Sequence, residues 1–236
     1  MGEGDIAANN AARMRPSLPP SQEAFMDSTR ITGFIALAAG FAALVLLAFH
    51  PGGQAADFAG LLKDEAAHQA ANAIVHGGFI LVLAVQLACY AIFAGRLGWT
   101  RPLAVAGLVF FAVGAGLQMA SLVVDGLMIP QLAARYVAAP PDRLPFARSL
   151  FVLCGAAVQF LMPMSLFFQG AGVALWGGAL TKVARAGWAA LAGGVLVAAA
   201  AVGASVTGQQ HMLLVAIALL AGWAMLAGIT LVRRWV

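Results

Sequence analysis

The sequence predicts an all-α integral membrane protein, a bundle of six transmembrane helices with both termini on the cytoplasmic side. Hydrophobic residues make up 62% of the 236 residues and charged residues 9%, against roughly 45–50% and 25% in soluble domains. Six apolar runs are each near the roughly 20 residues that cross the hydrocarbon core of a bilayer. The two-residue alternation of a membrane β-barrel is absent from the sequence, so each run is predicted to be a helix.

Residues 1–30 are polar and are predicted to form a flexible cytoplasmic tail. Residues 31–236 form the predicted transmembrane domain. The first apolar run starts later than the apolar core of a cleavable signal peptide would, so it is interpreted as a retained helix. The predicted spans are 31–49, 73–94, 103–124, 150–175, 187–206 and 212–232.

The basic residues predict the direction in which the helices cross the membrane. Nine of the thirteen Lys and Arg residues fall in the tails or in the loops after the second and fourth runs, and four fall in the alternate segments. Because positive charge stays on the cytoplasmic side, both termini are placed there. Four tryptophans fall at the same boundary, as an interfacial aromatic belt would: Trp99, Trp176, Trp188 and Trp235. We therefore expect a multi-pass protein of a bacterial inner membrane.

The composition also indicates partners. The lipid bilayer is the first, and other membrane subunits are a further candidate, because the last two runs are rich in the Ala and Gly that favour close helix packing. The basic residues flank apolar runs rather than forming a patch, so no nucleic-acid partner is expected.

All four histidines and one aspartate fall at the outward ends of the predicted helices. The histidines end the first helix, open the second and open the sixth, and the aspartate closes the third. These residues are His50, His68, His76, His211 and Asp125. Chance alone would place four histidines on one side about one time in eight, so the clustering suggests a site without establishing it.

The start of the second helix carries a polar stripe. Glu65, His68, Asn72 and His76 are spaced by three, four and four residues, which puts them within about 80° on one helix face. Glu65 and His68 have the spacing of metal ligands in di-iron helix bundles. The alternative is that this stripe is the solvated face of a projecting helix. His76 has apolar neighbours on both sides, which favours an interior position.

Asp125 is the strongest single candidate, because the apolar run continues beyond it. A charge inside the hydrocarbon boundary costs about 3 kcal/mol unless it is paired or protonated. Gln118 and Ser121 share its helix face, and Gln86 and Gln159 should lie near the same depth. For the glutamines, hydrogen bonding between helices is the preferred interpretation.

The leading functional hypothesis is a site for haem b or a transition metal (Zn, Cu or Fe) in a redox role near the periplasmic face. His76 and His211 are the leading ligands, with Asp125 as a third ligand or as the group that orients a histidine. These three should share an interior space, with His50 and His68 nearer solvent. The full set of candidate metal ligands is His50, His68, His76, His211, Asp125 and Glu65.

Three other functions remain open at this point. The first is an accessory subunit of a larger membrane complex without chemistry. The second is a proton-coupled carrier that uses Asp125 and His76. The third is a zinc-dependent intramembrane hydrolase of lipids. The sequence carries no phosphate-binding loop and no hydrolase motif, so no catalytic residue is assigned and enzymatic activity stays undecided.

Overall fold

The protein is described by a computed structural model that covers residues 20–50, 57–181, 185–209 and 211–233. These residues form helices, turns and loops and no strand, which confirms the all-helical class. Six of the helices are long and apolar enough to cross a membrane. The chain is therefore a polytopic membrane protein, as the apolar runs predict.

The helices are numbered here in chain order. They are α1 (Pro20–Ala48), α2 (Phe58–Ala67), α3 (Gln69–Leu97), α4 (Pro102–Val123), α5 (Ile129–Tyr136), α6 (Leu144–Leu180), α7 (Ala186–Thr207) and α8 (His211–Val232). A π-helical turn, Val124–Met128, joins α4 to α5, and a 3-10 turn, Pro141–Arg143, precedes α6. The six spans fall on α1, α3, α4 to α5, α6, α7 and α8.

Several helices are longer than the apolar runs that predict them. Helix α1 begins at Pro20, within the stretch assigned to the tail, and residues 1–19 lie outside the described part of the chain. Helix α6 begins at Leu144, ahead of its predicted span. Hydropathy marks the part of a helix that lies in hydrocarbon, whereas the backbone hydrogen bonds continue beyond it.

The polar stripe at the start of the second span does not lie on one continuous helix. Helix α2 ends at Ala67 and α3 begins at Gln69, with His68 between them at φ −96° and ψ 9°. The start of α2 is fixed by Asp57, whose carboxylate accepts a hydrogen bond from the backbone N–H of Gly60 at 2.7 Å. Helix α2 packs against α5, so these two short helices lie beside each other next to the bundle.

The six spans form a closed ring in chain order. Each span packs against the next, and α8 returns to pack against α1. Glycines allow close approach at two of these contacts: Gly33 of α1 meets Gly228 of α8, and Gly170 of α6 meets Gly194 of α7. A side chain at any of these glycines would overlap the backbone of the facing helix, which is the small-residue packing expected in lipid.

The two halves of the ring are filled differently. One half, which we call the aromatic half, contains five large side chains that contact one another. We call these five side chains the aromatic plug: Tyr90, Phe93, Phe111, Trp176 and Trp223. The other half, which we call the histidine half, surrounds a cavity of about 770 Å³ with residues from all six spans. The interior of the histidine half therefore has room for a small ligand.

Candidate metal centre

Three of the sequence-predicted candidates meet at the wall of this cavity. His50, His76 and Asp125 each offer one ligand atom, and these atoms all lie within 4.8 Å of one another. His50 follows the end of α1, His76 lies in the second turn of α3, and Asp125 lies in the π turn after α4. The group could bind a metal ion, and it draws on three helices that are neighbours in the ring.

The position of Asp125 depends on the π turn. In a regular α-helix Pro130 would have no N–H for the carbonyl of Gly126, and its ring would clash with that carbonyl. The chain instead widens, and the N–H of Ile129 donates to the carbonyl of Val124, five residues earlier. Such single π turns occur often at functional sites because the inserted residue changes which side chain faces the interior.

The hydrogen bonds of His76 show which ring nitrogen is available to a ligand. Its Nδ1 atom lies 2.9 Å from the carbonyl oxygen of Asn72. A carbonyl oxygen only accepts, so Nδ1 carries the hydrogen and donates it. The Nε2 atom, which then presents a lone pair in the neutral ring, lies 3.2 Å from Oδ2 of Asp125.

The contact between His76 and Asp125 therefore needs a positive charge. The lone pair of a neutral Nε2 and the oxygen of an ionised carboxylate are both acceptors, and two acceptors at 3.2 Å repel each other. A bound cation or a proton between the two atoms removes the repulsion. The imidazole of His76 is 2% exposed and the carboxylate of Asp125 is 37% exposed. Water can therefore solvate the carboxylate but not the imidazole.

A glycine makes room for the His76 ring. A Cβ atom added at Gly126 would overlap the imidazole of His76. The edge of the same ring faces His50, with the ring centroids 4.9 Å apart and the planes at 62°. His76 is therefore held by the Asn72 carbonyl, by the backbone of the π turn and by His50.

Asn72 and Glu65 form a second layer beside the group. The side-chain amide of Asn72 donates to Oε2 of Glu65 at 3.1 Å, while the Asn72 backbone accepts from His76. Burial raises the pKa of Glu65, and the negative charges of Asp125 and Asp64 raise it further. Glu65 lies outside the group of three ligand atoms, and its pKa responds to the negative charge of Asp125.

The remaining histidines lie apart from the group. His68 is exposed, and its Nδ1 atom contacts the backbone and the carboxylate of Asp64 at 2.9 and 3.1 Å. His211, which begins α8, is also exposed and is not among the residues that line the cavity. The structure thus places His50, which is exposed as expected, beside His76, whereas His211 is not part of the group.

The glutamines differ in their surroundings. Gln118 lines the cavity and accepts a hydrogen bond from Gln169 at 2.6 Å, which ties α4 to α6. Gln159 lines the cavity as well, and Gln86 is buried in α3. Sequence reasoning missed Gln169, although the signal was the same as for Gln159: a polar side chain within an apolar run of α6.

Comparison with protein-family models, with curated proteins and with solved structures finds no match for this chain.

Proposed function

We propose that this protein is a membrane metalloprotein in which His50, His76 and Asp125 hold one divalent transition-metal ion. The observation that supports it best is the contact at 3.2 Å between Nε2 of His76 and Oδ2 of Asp125, two atoms that attract when a metal ion or a proton lies between them, together with the ligand atom of His50 within 4.8 Å of both. Zn²⁺ fits the ligand set best, since two imidazoles and a carboxylate leave a fourth tetrahedral position for water. Fe²⁺ uses the same three ligand types and is the nearest competitor.

The distances suit a tetrahedral ion after a small movement. Ligand atoms about 2.0–2.1 Å from such an ion lie about 3.3 Å from each other. His76 and Asp125 already have this separation. The limit of 4.8 Å for the whole group requires His50 to approach by about 1.5 Å at most. His50 is exposed beyond the end of α1, so a side-chain rotation supplies the movement.

Haem suits the arrangement less well than a single ion. The iron of haem has the macrocycle nitrogens in its plane, so a histidine ligand approaches from one face. The Asp125 oxygen near Nε2 of His76 would then occupy the space of the macrocycle. His50 also approaches His76 edge-on rather than from an opposite face.

The proposal includes an orientation: both termini in the cytoplasm and the histidine half at the periplasmic face of an inner membrane. The asymmetry of Lys and Arg supports it. Reporter fusions after Trp99 should be active only as cytoplasmic reporters, and fusions after Ala139 only as periplasmic ones. The opposite pattern would move the site to the cytoplasmic face.

Metal content tests the site. The purified full-length chain is stripped with a chelator, reloaded with Zn²⁺ in detergent and analysed by elemental mass spectrometry. The parent should hold one zinc per chain, and His76→Ala and Asp125→Asn should hold none. His68→Ala and His211→Ala remove exposed histidines at the same end of the bundle and should retain the zinc. Equal metal content in the parent and His76→Ala would refute the assignment.

A proton-binding pair is the second candidate, because a proton shared between His76 and Asp125 also satisfies their contact. It supports a proton-coupled carrier, in which this pair would load and release the proton. The same elemental analysis distinguishes the two candidates. A parent chain without metal, in which Asp125→Asn abolishes proton uptake into vesicles, would favour the carrier.

A further inference from the structure

The cavity beside the candidate metal centre has both polar and apolar walls. Its polar lining consists of the three ligands, the amides of Gln118 and Gln159, and Ser205. The remaining walls are apolar and come mainly from α3, α4, α6 and α8, among them Phe79, Leu122, Met162, Leu213 and Ile217. A ligand that matches this lining has one polar group and a long apolar part.

Part of the apolar lining is exposed on the outside of the bundle. Three lining side chains are also on the exterior: Phe160 is 73% exposed, and Met164 and Leu214 are each 51% exposed. All three belong to helices that are long and apolar enough to span the membrane. The hydrocarbon of the bilayer is the medium outside such segments, so an acyl chain can pass from the bilayer into the cavity.

Water reaches the ligand residues at the wall of the same cavity. His50 is exposed beyond the end of α1, and the Asp125 carboxylate is 37% exposed. The candidate metal centre therefore lies where water from outside the membrane and an acyl chain from within it can meet. A volume of about 770 Å³ also falls within the roughly 300–1,000 Å³ of small-molecule sites.

We infer that the substrate of this centre is a membrane lipid with an acyl ester or acyl amide bond, which the metal-bound water hydrolyses. The inference rests on the proposed metal site. The oxygen of the metal-bound water forms a bond to the acyl carbonyl carbon, and the C–O or C–N bond to the headgroup breaks. One water is consumed: its oxygen and one hydrogen become part of the fatty acid, and its other hydrogen goes to the leaving alcohol or amine.

Besides the metal, the amide of Gln118 and two side chains at the cavity wall have defined parts in this step. A bound metal would lower the pKa of its water towards neutrality and so supply hydroxide. The Oε1 atom of Gln118 accepts from Gln169, so the other end of this amide, its NH₂ group, is the one left to donate to a carbonyl oxygen in the cavity. Leu214 and Met164 line the cavity, are also exposed on the outside of the bundle, and are not among the three ligand residues.

The test uses the zinc-loaded full-length chain in phosphatidylcholine vesicles. The probes are a palmitoyl ester and a palmitoyl amide of matched fluorescent headgroups, with an acetyl ester as the short-chain comparison. We expect release of palmitate from one or both long-chain probes, little from the acetyl ester, and none with His76→Ala. Leu214→Trp should lower the release about tenfold or more by obstructing the passage, with unchanged zinc content.

The chain offers matched controls for the passage. Val215 is 54% exposed and adjacent to Leu214 on α8 but does not line the cavity, so Val215→Trp should retain the activity. On α6, Met164→Trp and its control Phe167→Trp repeat the comparison should either α8 variant fail to fold.

The results distinguish a failure of the proposed metal site from a failure of the proposed lipid substrate. A parent that holds no zinc would overturn the metal site and, with it, this inference. A parent that holds one zinc per chain and releases no palmitate would overturn the lipid substrate and leave the metal site in place. Equal rates with the acetyl ester, or equal rates for the Leu214 and Val215 variants, would overturn access from the bilayer.

Discussion

The histidine half and the aromatic half of the bundle are built from the same helices but differ in what fills the ring. In the aromatic half, Trp176 is fully buried, stacks on Trp223 at 6.1 Å between ring centroids, and donates its indole N–H to the carbonyl of Ala104 at 3.0 Å. In the histidine half, the space inside the helix ring is a cavity instead. Two imidazoles and a carboxylate lie at its wall.

We expect this difference to separate the residues that stabilise the bundle from the residues that bind a ligand. Helices in lipid associate through van der Waals packing and hydrogen bonds rather than through the hydrophobic effect. Close packing in the aromatic half can therefore stabilise the ring. The histidine half is less closely packed because it contains the cavity. Variants in the aromatic half should change stability and have little effect on metal binding. Variants in the histidine half should change metal binding and have little effect on stability.

The largest loss of stability is expected for Trp176→Ala in the aromatic plug. Removing a fully buried indole leaves a void among Tyr90, Phe111 and Trp223, and such changes cost about 3–5 kcal/mol. Thermal unfolding in detergent measures the loss, and the chains that remain folded should still bind one zinc.

Tyr90→Phe is the control for this position. The Tyr90 hydroxyl is buried without a hydrogen-bond partner among the described residues, so its removal should leave stability unchanged or raise it. A large loss in Tyr90→Phe, or loss of metal in Trp176→Ala, would contradict the separation of the two halves.

In the histidine half, Gly126→Ala should weaken metal binding strongly without removing a ligand. The new methyl group overlaps the ring of His76, so the imidazole must move away from Asp125. We expect a fall in zinc affinity of about 100-fold, the upper end of the effect of changing a group that orients a ligand.

Gly77→Ala provides the matched control, because nothing lies within 4 Å of the added methyl group although Gly77 is next to His76 in sequence. Alanine is the better helix former, so this variant should bind zinc normally and should be slightly more stable. If both alanine variants bind zinc like the parent, the ring of His76 is not held as the structure indicates.

The sequence was sufficient to predict the spans but only part of the site. Six apolar runs specify six helices because lipid leaves the backbone no alternative. The rotation of each helix about its own axis depends on packing, and this rotation turns His50 towards His76 and leaves His211 exposed. The π turn was also beyond sequence reasoning, although Pro130, five residues after Asp125, marks its place.

A smaller effect is expected where the two halves meet, at the hydrogen bond between Gln118 and Gln169. Gln169→Leu removes the donor and leaves the Gln118 carbonyl without it. Hydrogen bonds between membrane helices contribute about 0.6–2 kcal/mol, so unfolding should occur at a modestly lower temperature. Zinc content should be unchanged, because neither glutamine belongs to the ligand group; loss of zinc would extend the site into the amide pair.

The smallest expected effect concerns Glu65, at the outer edge of the histidine half. Burial and the charges of Asp125 and Asp64 raise its pKa in the folded chain, against smaller opposing effects of His68 and His76. Between the usual pKa of a glutamate and this raised value, the folded chain binds more protons than the unfolded chain does. Stability should therefore fall as pH rises through that interval, and the loss should be complete above the raised pKa.

Glu65→Gln keeps an oxygen that accepts from Asn72 but has no proton to lose, so this part of the pH dependence should vanish. The measurement is the melting temperature of metal-free parent and variant across the acidic and neutral range, where their difference isolates Glu65 from the other titrating groups. The variant should gain on the parent as pH rises. Asp142→Asn removes an exposed carboxylate from the 3-10 turn before α6 and controls for a general change in charge. Parallel profiles for the parent and the Glu65→Gln variant would show that Glu65 is solvated like an ordinary surface residue. Asn72 would then be the outermost buried residue beside the candidate metal centre.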